Sequence, residues 1–220
     1  MKKYIKYVGL VLVGVFAFSC NKDNFNYKPG YVGISKITTY PTITVAGASY
    51  IYIAKGGTYT DPGATAKAGT ADVKVVVSGL PDVNTVGVYT ESYTATNSDG
   101  FAATATRTIA VYSTDASAAS NDYSGKYART TNGVVATWTK VAPGVYFVDN
   151  PGGALGVNLQ VILFNPTGST ITIPQQIAGG NPTSSAQEST VTGPGGTLAS
   201  YKMEIINPGY GPSLRSFVKQ

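Results

Sequence analysis

Apolar and polar positions alternate in short runs along most of this chain, with the period of half-buried strands. The first runs are Ile43 with Val45 and then residues 50–53, separated by Ala46-Gly-Ala-Ser49. Residues 55–63 are rich in glycine, and Pro62 fixes φ beside Gly63, so this segment reads as a set of tight turns. Residues 72–78 alternate toward one buried face. Residues 86–97 and 101–112 flank Ser98-Asp-Gly100, a strong hairpin signal. That hairpin is expected to send Tyr89, Tyr93 and Ala95 into a core while its threonines and Glu91 face water. After a small, polar stretch at 113–121, strand-like runs return at 133–140, 144–149, 157–164, 169–173, 198–206 and 213–219. Asn132-Gly133 and Pro143-Gly144 mark hairpin turns, and residues 165–168 and 179–196 read as long glycine-rich loops. No helical period follows residue 20. The expected fold is all-β, and its second half is an antiparallel β-sandwich or small barrel of roughly six to eight strands.

The N-terminus follows a different rule. Lys2, Lys3 and Lys6 precede the apolar run 7–18, and Ser19 puts a small residue before Cys20. That order is what a secretory signal peptide needs, and the run is shorter than the roughly 20 residues of a membrane span. Ala17-Phe18-Ser19-Cys20 resembles the lipobox of bacterial lipoproteins, with Phe18 bulkier than the usual residue there. The resemblance implies cleavage before Cys20, a diacylglycerol on its sulfur and usually an acyl chain on its amine. Two or three chains, at about 0.8 kcal/mol per buried methylene, hold a protein to a membrane far more firmly than one. A plain signal peptide with an incidental cysteine, or an uncleaved anchor, is the alternative. Residues 21–30 are polar and turn-rich and read as a flexible tether. Asn21-Lys22-Asp23 loosely resembles the signal that sends lipoproteins of Gram-negative gut anaerobes to the outer cell surface; a solvated linker would look the same. The expected location is the outer membrane, facing the exterior.

Composition then narrows the chemistry. The chain has no histidine, which excludes Ser-His-Asp and Cys-His catalysis and nearly every ordinary zinc site. Cys20 is the single cysteine, so no disulfide forms within one chain. Removing residues 1–19 takes away three of 16 basic side chains and none of 11 acidic ones, leaving 13 against 11. So small an excess gives no reason to expect a nucleic-acid partner. Charged residues are 12% of the chain, about half the usual share. Tyrosine, glycine and threonine take their place, as in an extracytoplasmic β protein.

Gly57-Thr-Tyr-Thr-Asp-Pro-Gly-Ala-Thr-Ala66, Val86-Gly-Val-Tyr-Thr90, Tyr93-Thr-Ala-Thr-Asn97 and Asp99-Gly100 closely resemble the bacterial surface-protein immunoglobulin-like domain of unknown function. The resemblance covers about residues 40–112 and implies an immunoglobulin-like β-sandwich that serves as a spacer or adhesion module, with no catalytic residues. The family's acidic loop is shortened around Ala68-Gly-Thr-Ala71, which argues against an ion site there. Tyr123-Ser-Gly-Lys-Tyr127, Thr137-Trp-Thr-Lys140 and Gly144-Val-Tyr-Phe-Val148 resemble the C-terminal domain that accompanies this module in surface lipoproteins of gut anaerobes. Such lipoproteins often belong to polysaccharide-utilisation systems, which implies an accessory role in glycan capture. The expected domains are a signal peptide at 1–19, a lipidated tether at 20–36, the immunoglobulin-like domain at 37–112, a linker at 113–121 and the C-terminal β domain at 122–220.

Sugar rings stack on aromatic faces, so Trp138, Tyr146, Tyr201 and Tyr210 are the candidate ligand-binding residues. Trp138 lies in an alternating strand, where a lone tryptophan is more often core with its N–H satisfied. Tyr210 sits in the turn 207–212, where a ring is harder to bury, and is the better contact residue. Asp61, Asp72, Asp82 and Asp99 lack the spacing of a calcium loop. Asp122, Asp149, Glu188 and Glu204 carry no glycosidase signature, and no helix follows Gly152-Gly-Ala-Leu-Gly156 to make it a phosphate loop. No metal, cofactor or enzymatic activity is expected. The leading reading is a non-catalytic, lipid-anchored surface binding protein that captures glycan; the alternative is a structural or docking lipoprotein that binds another envelope protein. The first calls for an exposed aromatic strip on the second domain, the second for a smooth apolar or edge-strand patch.

Overall fold

A computed structural model describes residues 27–32 and 35–220. The signal peptide, Cys20 and the first part of the tether lie outside the described residues. Two short strands, β1 (Tyr31–Val32) and β2 (Ser35–Lys36), pair antiparallel in a unit that ends at Thr39. No helix of the described residues is long and apolar enough to cross a membrane.

The second unit begins at Tyr40 with seven strands: β3 (Pro41–Val45), β4 (Tyr50–Ala54), β5 (Ala64–Ala68), β6 (Ala71–Val73), β7 (Val75–Ser78), β8 (Gly87–Thr96) and β9 (Ala102–Tyr112). They form a three-stranded sheet, β3-β5-β6, and a four-stranded sheet, β4-β9-β8-β7. The Asp-Gly hairpin is present as expected. Gly100 takes φ +87°, Asn97 Oδ1 accepts from the Asp99 and Phe101 N–H groups, and β8 and β9 pair from Thr96–Ala102 to Gly87–Val111. Residues 72–78 are not one strand. The chain changes sheets at Lys74, so β6 pairs with β5 while β7 pairs with β8. Glu91 corrects the sequence reading more sharply: it is fully buried, on the same face as Tyr93 and Ala95. Strand parity places 91 with 93 and 95; its charge suggested water, and a buried partner described below overrides that suggestion.

An eight-stranded sheet follows a one-turn helix, α1 (Ala116–Ala119), where no helix was expected; it is too short to leave a helical period in the sequence. Its strands are β10 (Gly125–Arg129), β11 (Val135–Ala142), β12 (Val145–Asp149), β13 (Gln160–Phe164), β14 (Gln176–Ala178), β15 (Asn181–Thr192), β16 (Leu198–Ile206) and β17 (Leu214–Lys219). All pairs are antiparallel, in the order β13-β12-β11-β10-β17-β16-β15-β14. The expected loop 179–196 holds a twelve-residue strand, β15. Glycines at both ends marked a loop, but the Ser/Thr-rich stretch between them finds its ladder on β16. The expected strand 169–173 contributes only a single bridge, Phe164 with Thr172.

The sheet curls into a nearly closed barrel, and one side chain joins its edges. Gln176 Oε1 accepts from the Ile162 N–H at 2.8 Å, and its Nε2 donates to the Ile162 carbonyl at 2.7 Å. The amide thereby acts as one more rung between β13 and β14. Gln176→Ala orphans two buried backbone groups, each worth about 1–3 kcal/mol, and is expected to lower stability by a few kcal/mol in urea melts. Gln176→Glu, whose ionised carboxylate only accepts and so cannot donate to the Ile162 carbonyl, should recover little of it.

The first sandwich packs on the barrel through the outer face of its four-stranded sheet. Tyr52 and Val88 flank Ala110 in register, and this row meets Val145, Phe147, Ile162 and Phe164 of β12 and β13. Tyr50 and Phe147 meet edge to face at 5.2 Å. The contact explains why Ile109, Ala110 and Val111 are all buried, as are residues 161–164: both faces of these strands are covered. Residues 113–121 are pinned to the barrel. Thr114 Oγ1 donates to the Pro143 carbonyl, the Asp115 N–H to the Pro166 carbonyl, and Asn121 Nδ2 to Asn165 Oδ1.

Candidate functional site

The first sandwich buries a charged cluster built from three separate segments. The turn 57–63 brings Tyr59 and Asp61, β8 brings Glu91 and Tyr93, and β9 brings Arg107 directly opposite Glu91. Arg107 Nη1 lies 2.7 Å from Asp61 Oδ1 and 3.5 Å from Glu91 Oε2, and donates to Tyr93 Oη at 2.7 Å. Tyr93 Oη lies 2.5 Å from Asp61 and 2.8 Å from Glu91, and Tyr59 donates to Glu91 at 2.5 Å. Arg107 also donates from Nε to the Ala48 carbonyl at 3.0 Å and from Nη2 to the Ala46 carbonyl, tying the loop between β3 and β4 to the same centre. Arg107 and Glu91 are buried and Asp61 is partly exposed, and together they tie the turn to the two long strands. The turn and β8 are among the stretches whose residues carried the family resemblance, while Arg107 lies outside them.

Residues 43–111 match the model of the bacterial surface protein, Ig-like domain. The match fits a surface protein of non-enzymatic kind. A crystal structure of the lipoprotein BT2262 from Bacteroides thetaiotaomicron is 25% identical, over 82% of this chain and 100% of that one, with a TM-score of 0.42. No curated protein matches the chain. In the Ig-like domain, the Tyr-Thr-Asp-Pro-Gly turn is a structural clamp. Burial by itself raises the pKa of Asp61, but hydrogen bonds from Tyr93, the Gly63 N–H and Arg107, with the Arg107 charge, outweigh it and hold the carboxyl below its ordinary range. A depressed folded-state pKa gives stability that is complete above the unfolded value near 4 and is lost as pH falls through the folded value. Urea midpoints measured from about pH 6 down to pH 2 should therefore drop below pH 4, and Asp61→Asn should flatten part of that limb.

In the barrel, three of the four candidate aromatic residues are core. Trp138 is 2% exposed, and Tyr146 and Tyr201 are buried with it. Trp138 Nε1 donates to Tyr201 Oη at 3.2 Å; the Trp138 ring lies 4.9 Å from Tyr201, and Tyr201 stacks on Phe217 at 4.7 Å. Burial pushes the Tyr146 hydroxyl up to about 12, and it donates to the Asn121 carbonyl at 2.9 Å. These rings fill the barrel because inward positions of its strands must pack a wide interior, and large aromatics do so with few residues. Their burial leaves Trp138, Tyr146 and Tyr201 no exposed ring face on which a sugar could stack.

Tyr210 is the exception, half-buried in the turn between β16 and β17. Asn207 shapes that turn: its Oδ1 accepts from the Gly209 N–H at 2.8 Å, its carbonyl accepts from the Tyr210 N–H, and its Nδ2 reaches Thr183 Oγ1 at 2.7 Å. The Tyr210 ring presses on Gly152, where a Cβ would fall 2.2 Å from the ring, so the 150–156 loop needs glycine there. Two grooves meet at Tyr210. One, about 360 Å³, is lined by Pro182, Ile206, Pro208 and Pro212; the other, about 180 Å³, by Asn158, Leu159, Asn181 and Asn207. Among the described residues no group of three or more His, Cys, Asp or Glu side chains is placed to hold a metal ion. Arg107, Arg129 and Arg215 were not singled out in the sequence. Counting out from the Asp-Gly turn places Arg107 against Glu91, and strand parity with Tyr127 and Phe217 turns the other two inward.

Proposed function

We propose that the chain is a non-catalytic envelope protein, lipid-anchored at Cys20 in the outer membrane and facing the exterior, that docks onto another envelope protein through the outer face of β14–β17. The observation that carries this reading is a contiguous apolar patch at one end of that sheet. Ile177 pairs with Pro182, Ser184 with Ile206 and Glu204 with Leu214, and the registers continue to bring Pro208 and Pro212 alongside. Ile177 is 56% and Ile206 50% exposed. Contiguous exposed apolar surface of this kind is costly in water and marks contact sites. The apolar patch and the groove within it support docking, and the burial of Trp138, Tyr146 and Tyr201 weighs against a stacking platform. Ile206→Glu places a charge at the centre of the patch without touching the core, so the melting midpoint should stay unchanged. Envelope partners co-purified with the full chain from cross-linked membranes should bind the variant at least about 30-fold more weakly, the effect of losing a contact worth ~2 kcal/mol. The same partners retained by the variant at full affinity would sink the docking reading.

Glycan capture within a polysaccharide-utilisation system is the second reading. It is favoured by the smaller groove, where Asn158, Asn181 and Asn207 set amide groups beside Tyr210, as sugar hydroxyls require. A panel of polysaccharides tested against the full chain and Asn158→Ala separates it from docking.

A further inference from the structure

Three buried polar atoms without a hydrogen-bond partner converge at the Tyr210 end of the barrel: Arg129 Nε, Arg215 Nε and Tyr210 Oη. Register explains why they meet. Arg129 on β10 stands opposite Phe217, and Arg215 on β17 stands opposite Met203, so both arginines occupy positions that face the barrel interior. Arg215 is only 5% exposed, and its guanidinium lies over the Tyr210 ring, 5.0 Å from the centroid. The ends of that guanidinium are fixed by the Ser213 and Gly211 carbonyls, each at 3.1 Å. Arg129 packs along Gly153, with Nη1 only loosely placed on the Gly152 and Gly153 carbonyls at 3.5 and 3.4 Å.

A buried guanidinium ordinarily keeps a carboxylate beside it, because desolvating the charge alone is expensive. Among the described residues neither arginine has one; the ion pairs there are Lys67–Asp72, Arg107–Asp61 and Arg107–Glu91. Glu204 is nearest in charge, but it sits at an outward register with Leu214 and accepts from Gln187 at 2.7 Å. Burial, and then the charge of Arg129, lower the pKa of Arg215 against smaller opposing effects of Tyr210 and Glu204, as expected where two cations lie close together. The Ig-like domain provides the contrast: Arg107, equally buried, is surrounded by acids.

We infer that this end of the barrel binds an oxyanion group, with the Arg129 and Arg215 Nε–H groups and the Tyr210 O–H donating to it. A carboxylate fits the Nε–Nη edge of a guanidinium in a bidentate fashion. The asparagine-lined groove on the other side of Tyr210 supplies amides for neighbouring hydroxyls, so the ligand class is a sugar acid; this last step rests on the glycan reading, and the oxyanion site itself does not.

Thermal melts of the full chain in non-denaturing detergent test this, with acetate, sulfate, galacturonate and galactose titrated against chloride at constant ionic strength. Acetate or sulfate should raise the midpoint in proportion to the logarithm of its concentration once above its Kd, as a ligand specific to the folded state does. Galacturonate should act at a concentration at least about tenfold lower, since its hydroxyls add hydrogen bonds. Arg129→Gln, at a half-buried position, should fold and lose the response; Tyr210→Phe, which keeps the ring, should weaken it about tenfold. No response to any oxyanion, or an undiminished response in Arg129→Gln, overturns the site. Acetate and galacturonate acting alike overturns the sugar-acid assignment and leaves the oxyanion site in place; the polysaccharide panel decides the glycan reading by itself.

Discussion

Arg107→Ala is expected to cost the Ig-like domain about 3–5 kcal/mol, the range for removing one partner of a buried ion pair. The mutation deletes no large apolar surface. It leaves Glu91, fully buried, and Asp61 facing each other across the Tyr93 hydroxyl with no cation between them. It also frees the Ala46 and Ala48 carbonyls that hold the β3–β4 loop. Urea denaturation followed by tyrosine fluorescence reads the loss. Adding Glu91→Gln to Arg107→Ala should restore part of it, because the second change removes one orphaned charge; the two single costs therefore should not add. A loss below about 1 kcal/mol for Arg107→Ala would mean that the cluster is solvated and no clamp at all.

The second large effect lies in the barrel. Trp138→Ala should cost about 3–5 kcal/mol, as full truncation of a buried tryptophan does. The indole touches Tyr127, Tyr146 and Tyr201, and its loss opens a cavity and leaves the Tyr201 hydroxyl without its donor. Trp138→Phe should cost clearly less. For a chain of this size the melting midpoint of Trp138→Ala falls by roughly 6–20 °C. Any binding that Trp138→Ala abolishes therefore reports unfolding of the barrel, and the informative variants for binding are Ile206→Glu, Arg129→Gln and Tyr210→Phe.

Alternation and turn chemistry carried most of the fold. The hairpin 86–112 has the register that its Asp-Gly turn dictates, and 198–206 is a strand with the expected bounds. Failures occurred where a local signal and a distant partner disagreed. Glu91 follows the parity of its strand, but its burial depends on Arg107, which arrives only with the next strand. Residues 181–192 are Ser/Thr-rich and bounded by glycines, so their strand is visible only once β16 offers a ladder. Gln176 could not be read as a barrel seam, since that role needs Ile162 to come round from the far edge of the sheet. The candidate site divides in the same way. Tyr210 was legible because a proline-flanked turn cannot bury a ring completely. Trp138, Tyr146 and Tyr201 depended on which face of each strand turned inward, and the paired arginines on two strands 86 positions apart in sequence meeting side by side.

The parallel pairing of β4 with β9 sets how the protein meets mechanical load. β9 leads directly into the segment 113–121, and β4 lies parallel against it over five residues, from Tyr50–Thr108 to Ala54–Tyr112. With the chain anchored and docked as proposed, tension that has drawn β3 off β5 pulls these two strands past each other along their length. Their evenly spaced bonds then bear the force together instead of opening one after another. A tethered protein under flow or traction resists through such a shear joint, and the pinned segment 113–121 passes the force on without a slack hinge.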